Sequence, residues 1–218
     1  MTLMTEADWK GCDDPARMIF EFGLCANHSK TRLLLAANCR RGWRLLSETA
    51  RRAVELAERF ADGLVTAQEL TAVREDTREE VSYFSVALDH SDQYEQALRI
   101  SLGIAAFADA AVWPEYRKVE AFFWDCVPDE RGPDAHNVRD IFGNPFRPVA
   151  FDAAWRTSTA TALAQTMYES RDFGAMPILA DALQDAGCDS DDILSHCRDP
   201  HATHVRGCWV VDLVLGKG

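Results

Sequence analysis

No stretch of this sequence approaches the roughly 18 unbroken apolar residues of a membrane-spanning helix. The richest run, Ile104 to Trp113, is interrupted by Asp109. Basic charge is also scarce: 23 Lys and Arg stand against 35 Asp and Glu, a formal net charge of −12. That balance argues against a dedicated nucleic-acid binder and against docking on an anionic membrane. Cysteine is present seven times but never as Cys-x-x-Cys, so thioredoxin-type redox chemistry and zinc ribbons lose their usual signature. The nucleophile elbow Gly-x-Ser-x-Gly, the Walker loop, the Gly-x-Gly-x-x-Gly fingerprint and the His-Glu-x-x-His helix are all missing. No catalytic class follows from motifs. Met1-Thr-Leu-Met-Thr-Glu-Ala-Asp8 has neither a basic nor an apolar leader region, which predicts no signal peptide. An odd number of scattered cysteines then predicts reduced thiols in the cytoplasm.

What remains is a chain of 218 residues, 47% apolar and 27% charged, the composition of a globular protein with ample core. Helical signals dominate it. Leu35, Cys39, Trp43, Leu46, Ala50, Val54, Ala57 and Phe60 recur at steps of three or four, the spacing of one helical face. Ser47-Glu-Thr49 can split that stripe into two helices, because hydroxyls favour caps over interiors. Thr66-Ala-Gln-Glu69 is a capping-box pattern. Further helices are expected from Asp92, around Tyr116–Cys126, and over Asp134–Phe142, Ser158–Glu169 and Pro177–Ala186, with a short one after Ser190-Asp-Asp192. Pro145-Phe-Arg-Pro148 is expected to be extended, and Phe151 and Trp155 to anchor it on a core. The final run, Cys208 to Leu215, is apolar nearly all round and suits a buried helix or a central strand. Gly216 and the lack of strand partners tilt it to helix. The expectation is an all-α multi-helix bundle, with at most one short strand or extended segment near 145–150. Residues 128–134 read as a linker between an N-terminal helical part, 1–127, and a C-terminal one, 134–218, joined in one compact unit.

Three long motifs carry a resemblance. Arg139-Asp-Ile-Phe-Gly-Asn-Pro-Phe-Arg-Pro-Val149, Met176-Pro-Ile-Leu-Ala-Asp-Ala-Leu-Gln-Asp-Ala-Gly-Cys188 and His204-Val-Arg-Gly-Cys-Trp-Val-Val-Asp-Leu-Val-Leu-Gly-Lys217 resemble those of an expanded bacterial family of uncharacterised proteins. Met4 to Trp9, the surroundings of Cys39-Arg-Arg41 and Arg52 to Gly63 are similar too, so the resemblance spans most of the chain. It implies no activity, cofactor or substrate. Where the family carries a cysteine-rich Ala-Cys-Ala-Cys-Cys-Arg run, this chain has Leu35-Ala-Ala-Asn-Cys39, which weakens a metal or redox reading there.

The densest group of metal-type residues is Cys188, His196, Cys197, His201, His204 and Cys208, with three of the seven cysteines and three of the six histidines. A helix starting before His204 would put His204 and Cys208 one turn apart on one face. Cys188 or Cys197 and a second histidine such as His196 would complete a tetrahedral zinc site, structural rather than hydrolytic. The competing expectation is core packing for the thiols and a polar loop for the histidines. Cys25, His28 and Cys39 form a weaker group. Asp189-Ser-Asp-Asp192 is no calcium loop, since the fifth position is Ile193 and the glycine and glutamate of an EF-hand are missing. His136, beside Arg139 and Asp140, is a surface histidine that could border a pocket.

Two further features concern partners. Lys30, Arg32, Arg40, Arg41, Arg44, Arg51, Arg52 and Arg59 face only Glu48, Glu55 and Glu58, a local net charge of +5. A solvated face, or a surface for the acidic C-terminal part, explains it better than nucleic acid does. Arg139, Phe146, Arg147 and Trp155 are of the types enriched at binding hot spots. They support a non-enzymatic helical module that binds another protein or a second copy of itself as a homodimer, with no cofactor. The alternative is a zinc protein built on the C-terminal cluster.

Overall fold

The computed structural model describes residues 4–24, 27–87 and 135–217. The helices expected from Asp92 and around Tyr116–Cys126, the linker at 128–134, and Cys25 all lie outside them. The described residues are all-α: ten α-helices, two short 3₁₀ turns and no strand. None of these helices is long and apolar enough to cross a membrane. The chain divides into two units, with one boundary at 134/135, the end of the expected linker, and the other at 23/24, which the sequence did not mark. One unit joins residues 1–23 to 135–218; the other runs from 24 to 134. The N-terminal segment therefore belongs with the C-terminal part.

In the second unit, α3 (His28–Arg41), α4 (Glu48–Ala61) and α5 (Ala67–Ala87) pack in succession. The division at Ser47 occurs as its side chain suggests: Ser47 Oγ accepts from Ala50 N–H at 3.1 Å and caps α4. Thr66 and Glu69 form the reciprocal capping box, with Glu69 Oε2 accepting from Thr66 N–H at 2.8 Å and Thr66 Oγ1 from Glu69 N–H at 3.2 Å. The apolar stripe becomes the core, where Cys39, Leu46, Ala50, Val54 and Ala57 are buried and Trp43 and Phe60 pack on them. Two positions on the charged face turn inward. Glu58 is buried and takes a two-pronged bond from Arg40, whose guanidinium also lies over Trp43. Arg32 is buried above Phe60.

In the other unit, α1 (Glu6–Gly11) and α2 (Pro15–Glu21) precede α6 (Ala135–Phe142), α7 (Ser158–Ser170), α8 (Met176–Asp185), α9 (Asp191–Arg198) and α10 (Trp209–Leu215). Helices α7 to α10 share one core built on Ala164, Met167, Tyr168, Leu179, Leu183, Ile193, Cys197 and Val211. Phe151 and Trp155 pack against it, edge to face with ring centroids 5.4 Å apart. The final apolar run resolves as helix.

Two local expectations need correction. Residues 144–147 turn rather than extend: Asn144 Oδ1 accepts from Phe146 N–H at 3.0 Å, and Asn144 C=O from Arg147 N–H at 3.0 Å. An Asn side chain that mimics the backbone, with Pro145 presetting its φ, closes the turn. The last helix starts at Trp209, not before His204, so Cys208 is its N-cap residue. The residue after α6 closely approaches the first residue of α10. Gly143 sits at φ +70°, a conformation that favours glycine, and a Cβ there would lie a tight 3.3 Å from Trp209 Cγ.

Candidate metal centre

Four side chains converge beside α10. Asp140 comes from α6 and His196 from the last turn of α9; His204 comes from the loop between α9 and α10, and Cys208 caps α10. Their ligand atoms all lie within 4.8 Å of one another. Asp140 Oδ1 is 2.7 Å from His204 Nδ1 and 3.2 Å from His196 Nε2. Cys208 Sγ is 3.2 Å from His196 Nε2 and 3.9 Å from His204 Nδ1. The histidine rings meet at 72° with centroids 4.8 Å apart, and His196 also faces Trp209 at 5.1 Å.

Local structure explains each placement. On α9 the core-facing residues are Ile193, Leu194 and Cys197. His196 precedes Cys197 by one residue, which turns it about 100° from the core stripe, toward α6. His204 gains its position from the Asp140 carboxylate, because Asp140 Oδ2 accepts the next backbone N–H, that of Val205, at 2.8 Å. A turn closed by Cys208 N–H on Val205 C=O at 2.9 Å then brings the thiol back to the same point. The loop, rather than a helical turn, pairs His204 with Cys208.

The centre is closed. The side chains of Asp140 and His204 are 3% and 6% exposed, and that of His196 is 18% exposed. Burial raises the Asp140 pKa, but hydrogen bonds to His196 and His204, together with their charges, outweigh it and hold the carboxyl below its ordinary value. The Cys208 thiol goes the other way, pushed well above its ordinary value by burial and then by the Asp140 charge, although the amides of Val211 and Val210 oppose this. A carboxylate and a thiol sharing one buried point thus suit opposite states in the bare protein.

The arrangement differs from a nucleophile relay. A Cys–His–Asp relay needs the thiol and the carboxylate on opposite nitrogens of one imidazole, so that a proton taken at one side is stabilised from the other. Here Asp140 and Cys208 face the same nitrogen of each ring, Nε2 of His196 and Nδ1 of His204. All four atoms point to a common centre. Tetrahedral zinc, with Zn–N near 2.05 Å and Zn–S near 2.3 Å, sets its donor atoms about 3.3 to 3.6 Å apart. The four donor separations given above, 2.7 to 3.9 Å, bracket that range, and all six pairs lie within 4.8 Å.

Of the five residues that the sequence singled out, His196, His204 and Cys208 come together, and Cys188 and Cys197 do not join them. Both of these thiols are buried in the core of α7 to α10. Burial pushes Cys197 up to about 12, with the charge of Asp140 contributing, and burial also raises Cys188. His201 is exposed, its backbone N–H bound to Asp199 Oδ1 at 2.9 Å. His136 is exposed as well. The Cys25, His28 and Cys39 group cannot be placed, since Cys25 lies outside the described residues; Cys39 is a core thiol. Asp140 was missed, for it sits far from the cluster in sequence. Its one signal is a carboxylate between Val138 and Ile141, both fully buried.

Native alkylation tests this partition of thiols. Cys12 is half-buried, whereas Cys188, Cys197 and Cys208 are buried, the last two with strongly raised pKa values. Iodoacetamide at pH 8 modifies Cys12 and leaves these three unmodified until denaturant is added, read by peptide mass mapping.

The four residues named for partner binding are engaged within the chain. Arg139 donates to the Trp9 carbonyl from Nε at 3.1 Å and Nη2 at 2.9 Å, and also reaches Cys12 C=O. Phe146, 38% exposed, stands edge to face on Phe22 with centroids 5.1 Å apart. Arg147 pairs with Glu6 at 2.7 Å and reaches Asp192 at 3.6 Å. Trp155 packs on the core beside Phe151. No protein-family model, curated protein or solved structure matches the chain.

Proposed function

We propose that the unit formed by the two chain ends is a zinc-binding helical module, with Asp140, His196, His204 and Cys208 as the ligand set. The observation that carries this reading is the convergence of four donor atoms on one buried point, with carboxylate and thiol sharing the same ring nitrogens. A dication resolves the electrostatic conflict there. It neutralises the carboxylate and holds the sulfur as thiolate, which the amides of Val210 and Val211 already face. One carboxylate oxygen, two imidazoles and one thiolate form a borderline donor set suited to zinc. Four protein ligands in a closed site leave no position for water, so the role is structural rather than hydrolytic. The protein-interaction reading of Arg139, Phe146, Arg147 and Trp155 draws less support, because their polar and aromatic groups are used inside the chain.

Protein purified without chelator is expected to carry about one zinc per chain by mass spectrometry, the stoichiometry of a closed four-ligand site. His204→Ala and Cys208→Ser reduce it at least tenfold while Cys188→Ala, outside the ligand set, retains it. Cobalt substitution adds a spectroscopic check, a single Co–thiolate charge-transfer band lost in Cys208→Ser. Absence of zinc, with no uptake on titration, overturns the proposal.

A further inference from the structure

The centre also joins two layers of its unit. Helices α7 to α10 own a complete apolar core, which contains Cys208 and Val211. Val138 and Ile141 of α6 are fully buried but stand outside that cluster. Helix α6 instead packs on α2, and the segment that follows it seats the N-terminal residues. Arg139 holds the carbonyls of Trp9 and Cys12 at the end of α1. Asn144 Nδ2 donates to Glu6 Oε1 at 3.1 Å, and Arg147 pairs with the same carboxylate at 2.7 Å. Trp9, Phe22 and Phe146 form a chain of edge-to-face rings. Residues 4–22 and 135–147 thus form one layer, and Asp140 is the metal-type residue by which it meets His196, His204 and Cys208 of the other.

Resting on the zinc reading above, we infer that zinc regulates this layer: bound metal latches the N-terminal segment, residues 4–22, and loss of metal releases it while α7 to α10 stay folded. The physical basis is an imbalance. Beyond the centre, the two layers meet where the ring of Trp209 lies against Gly143 and where Arg147 reaches Asp192 of α9 at 3.6 Å, both sides of that pair about half exposed. Without a cation, the buried Asp140 carboxylate relies on its hydrogen bonds to His196, His204 and the Val205 amide. Transient exit of α6 rehydrates that carboxylate and carries α1 and α2 with it, because Arg139 is the next residue on the same helix. The bundle of α7 to α10 loses no apolar layer of its own. Zinc availability would then decide whether Trp9, Phe22, Val138 and Ile141 are covered or presented.

Hydrogen–deuterium exchange on the full chain, zinc-loaded and chelator-treated, tests the latch. The expected result is loss of most protection at 4–22 and 135–147 without zinc, while peptides from 158–185 stay protected, their exchange rising by no more than the global destabilisation that metal removal brings. Arg139→Ala separates latch from ligand set, for it still binds one zinc but exchanges rapidly at 4–22 with zinc present. Several outcomes overturn the inference and say where it fails. A chain that takes up no zinc removes the centre itself. One that takes up zinc yet protects 4–22 equally in both states has a centre and no latch. Equal loss of protection over 158–185 makes zinc a staple of the whole unit. Arg139→Ala that keeps 4–22 protected removes the proposed route.

Discussion

Removing zinc with a chelator is expected to lower the thermal midpoint of this protein by about 10 °C or more. The ligand binds only the native state, so it stabilises by RT ln(1 + [L]/Kd), about 4 kcal/mol when free metal is 1,000 times Kd. For a unit of this size, 1 kcal/mol moves the midpoint by roughly 4 °C or more. The drop should therefore track free zinc concentration, tenfold steps giving equal increments of about 1.4 kcal/mol. His204→Ala, already lacking the metal, should melt low with or without chelator. Acid should act as the chelator does, since protons compete for the imidazoles and the thiolate, so zinc release accelerates as pH falls. A midpoint indifferent to chelator and zinc in the wild-type chain would leave Asp140, His196, His204 and Cys208 as a hydrogen-bonded polar cluster. Circular dichroism at 222 nm against temperature, at fixed free zinc, is sufficient to decide.

The helices were legible because their signals are local. The stripe from Cys39 to Phe60 keeps a period of three to four, Ser47 offers an oxygen to Ala50, and Thr66 with Glu69 closes a box; none of this needs a partner from elsewhere in the chain. The centre was half legible for the opposite reason. Histidine and cysteine are rare enough for a cluster of them to attract notice, whereas one aspartate among 35 acidic residues does not, and Asp140 reaches the site only through tertiary packing. Residue type also misled at Cys188 and Cys197. A thiol is both a ligand and a small hydrophobe. Here the helix period distinguishes the two: Cys197 lies four residues after Ile193 on the core stripe, and His196 lies off it. That distinction was available in the sequence. The joining of residues 1–23 to 135–218 was not, because it rests on Arg139 reaching back to Trp9 and Cys12, a pairing that no local pattern encodes. The basic run at 30–59 illustrates the same gap. Counted along the chain it is a positive face, but in the fold Arg40 is spent on Glu58 and Arg51 on the carbonyl of Trp43 at 3.0 Å.

That Arg40–Glu58 pair supports the second large effect. Glu58→Ala should destabilise the unit formed by α3 to α5 by about 3 kcal/mol, the lower end of what breaking a buried ion pair costs. The lower end applies because the two side chains differ in burial, Glu58 at 2% exposed and Arg40 at 22%, so water screens the abandoned guanidinium in part. The loss comes chiefly from stranding that charge on an apolar seam beside Trp43, over which Arg40 lies at 4.3 Å. It follows that the penalty belongs to the unpaired partner rather than to the bond. The double variant Arg40→Met with Glu58→Leu should therefore recover most of the lost stability, whereas Arg40→Met alone, which removes the two-pronged partner of a buried carboxylate, should cost at least as much as Glu58→Ala. Urea denaturation of the four proteins measures these differences. A Glu58→Ala midpoint unchanged from wild type, or a double variant no better than either single one, would mean that the pair is solvated and that the seam tolerates a lone charge. None of the four proteins should differ in zinc content, since neither side chain belongs to the ligand set.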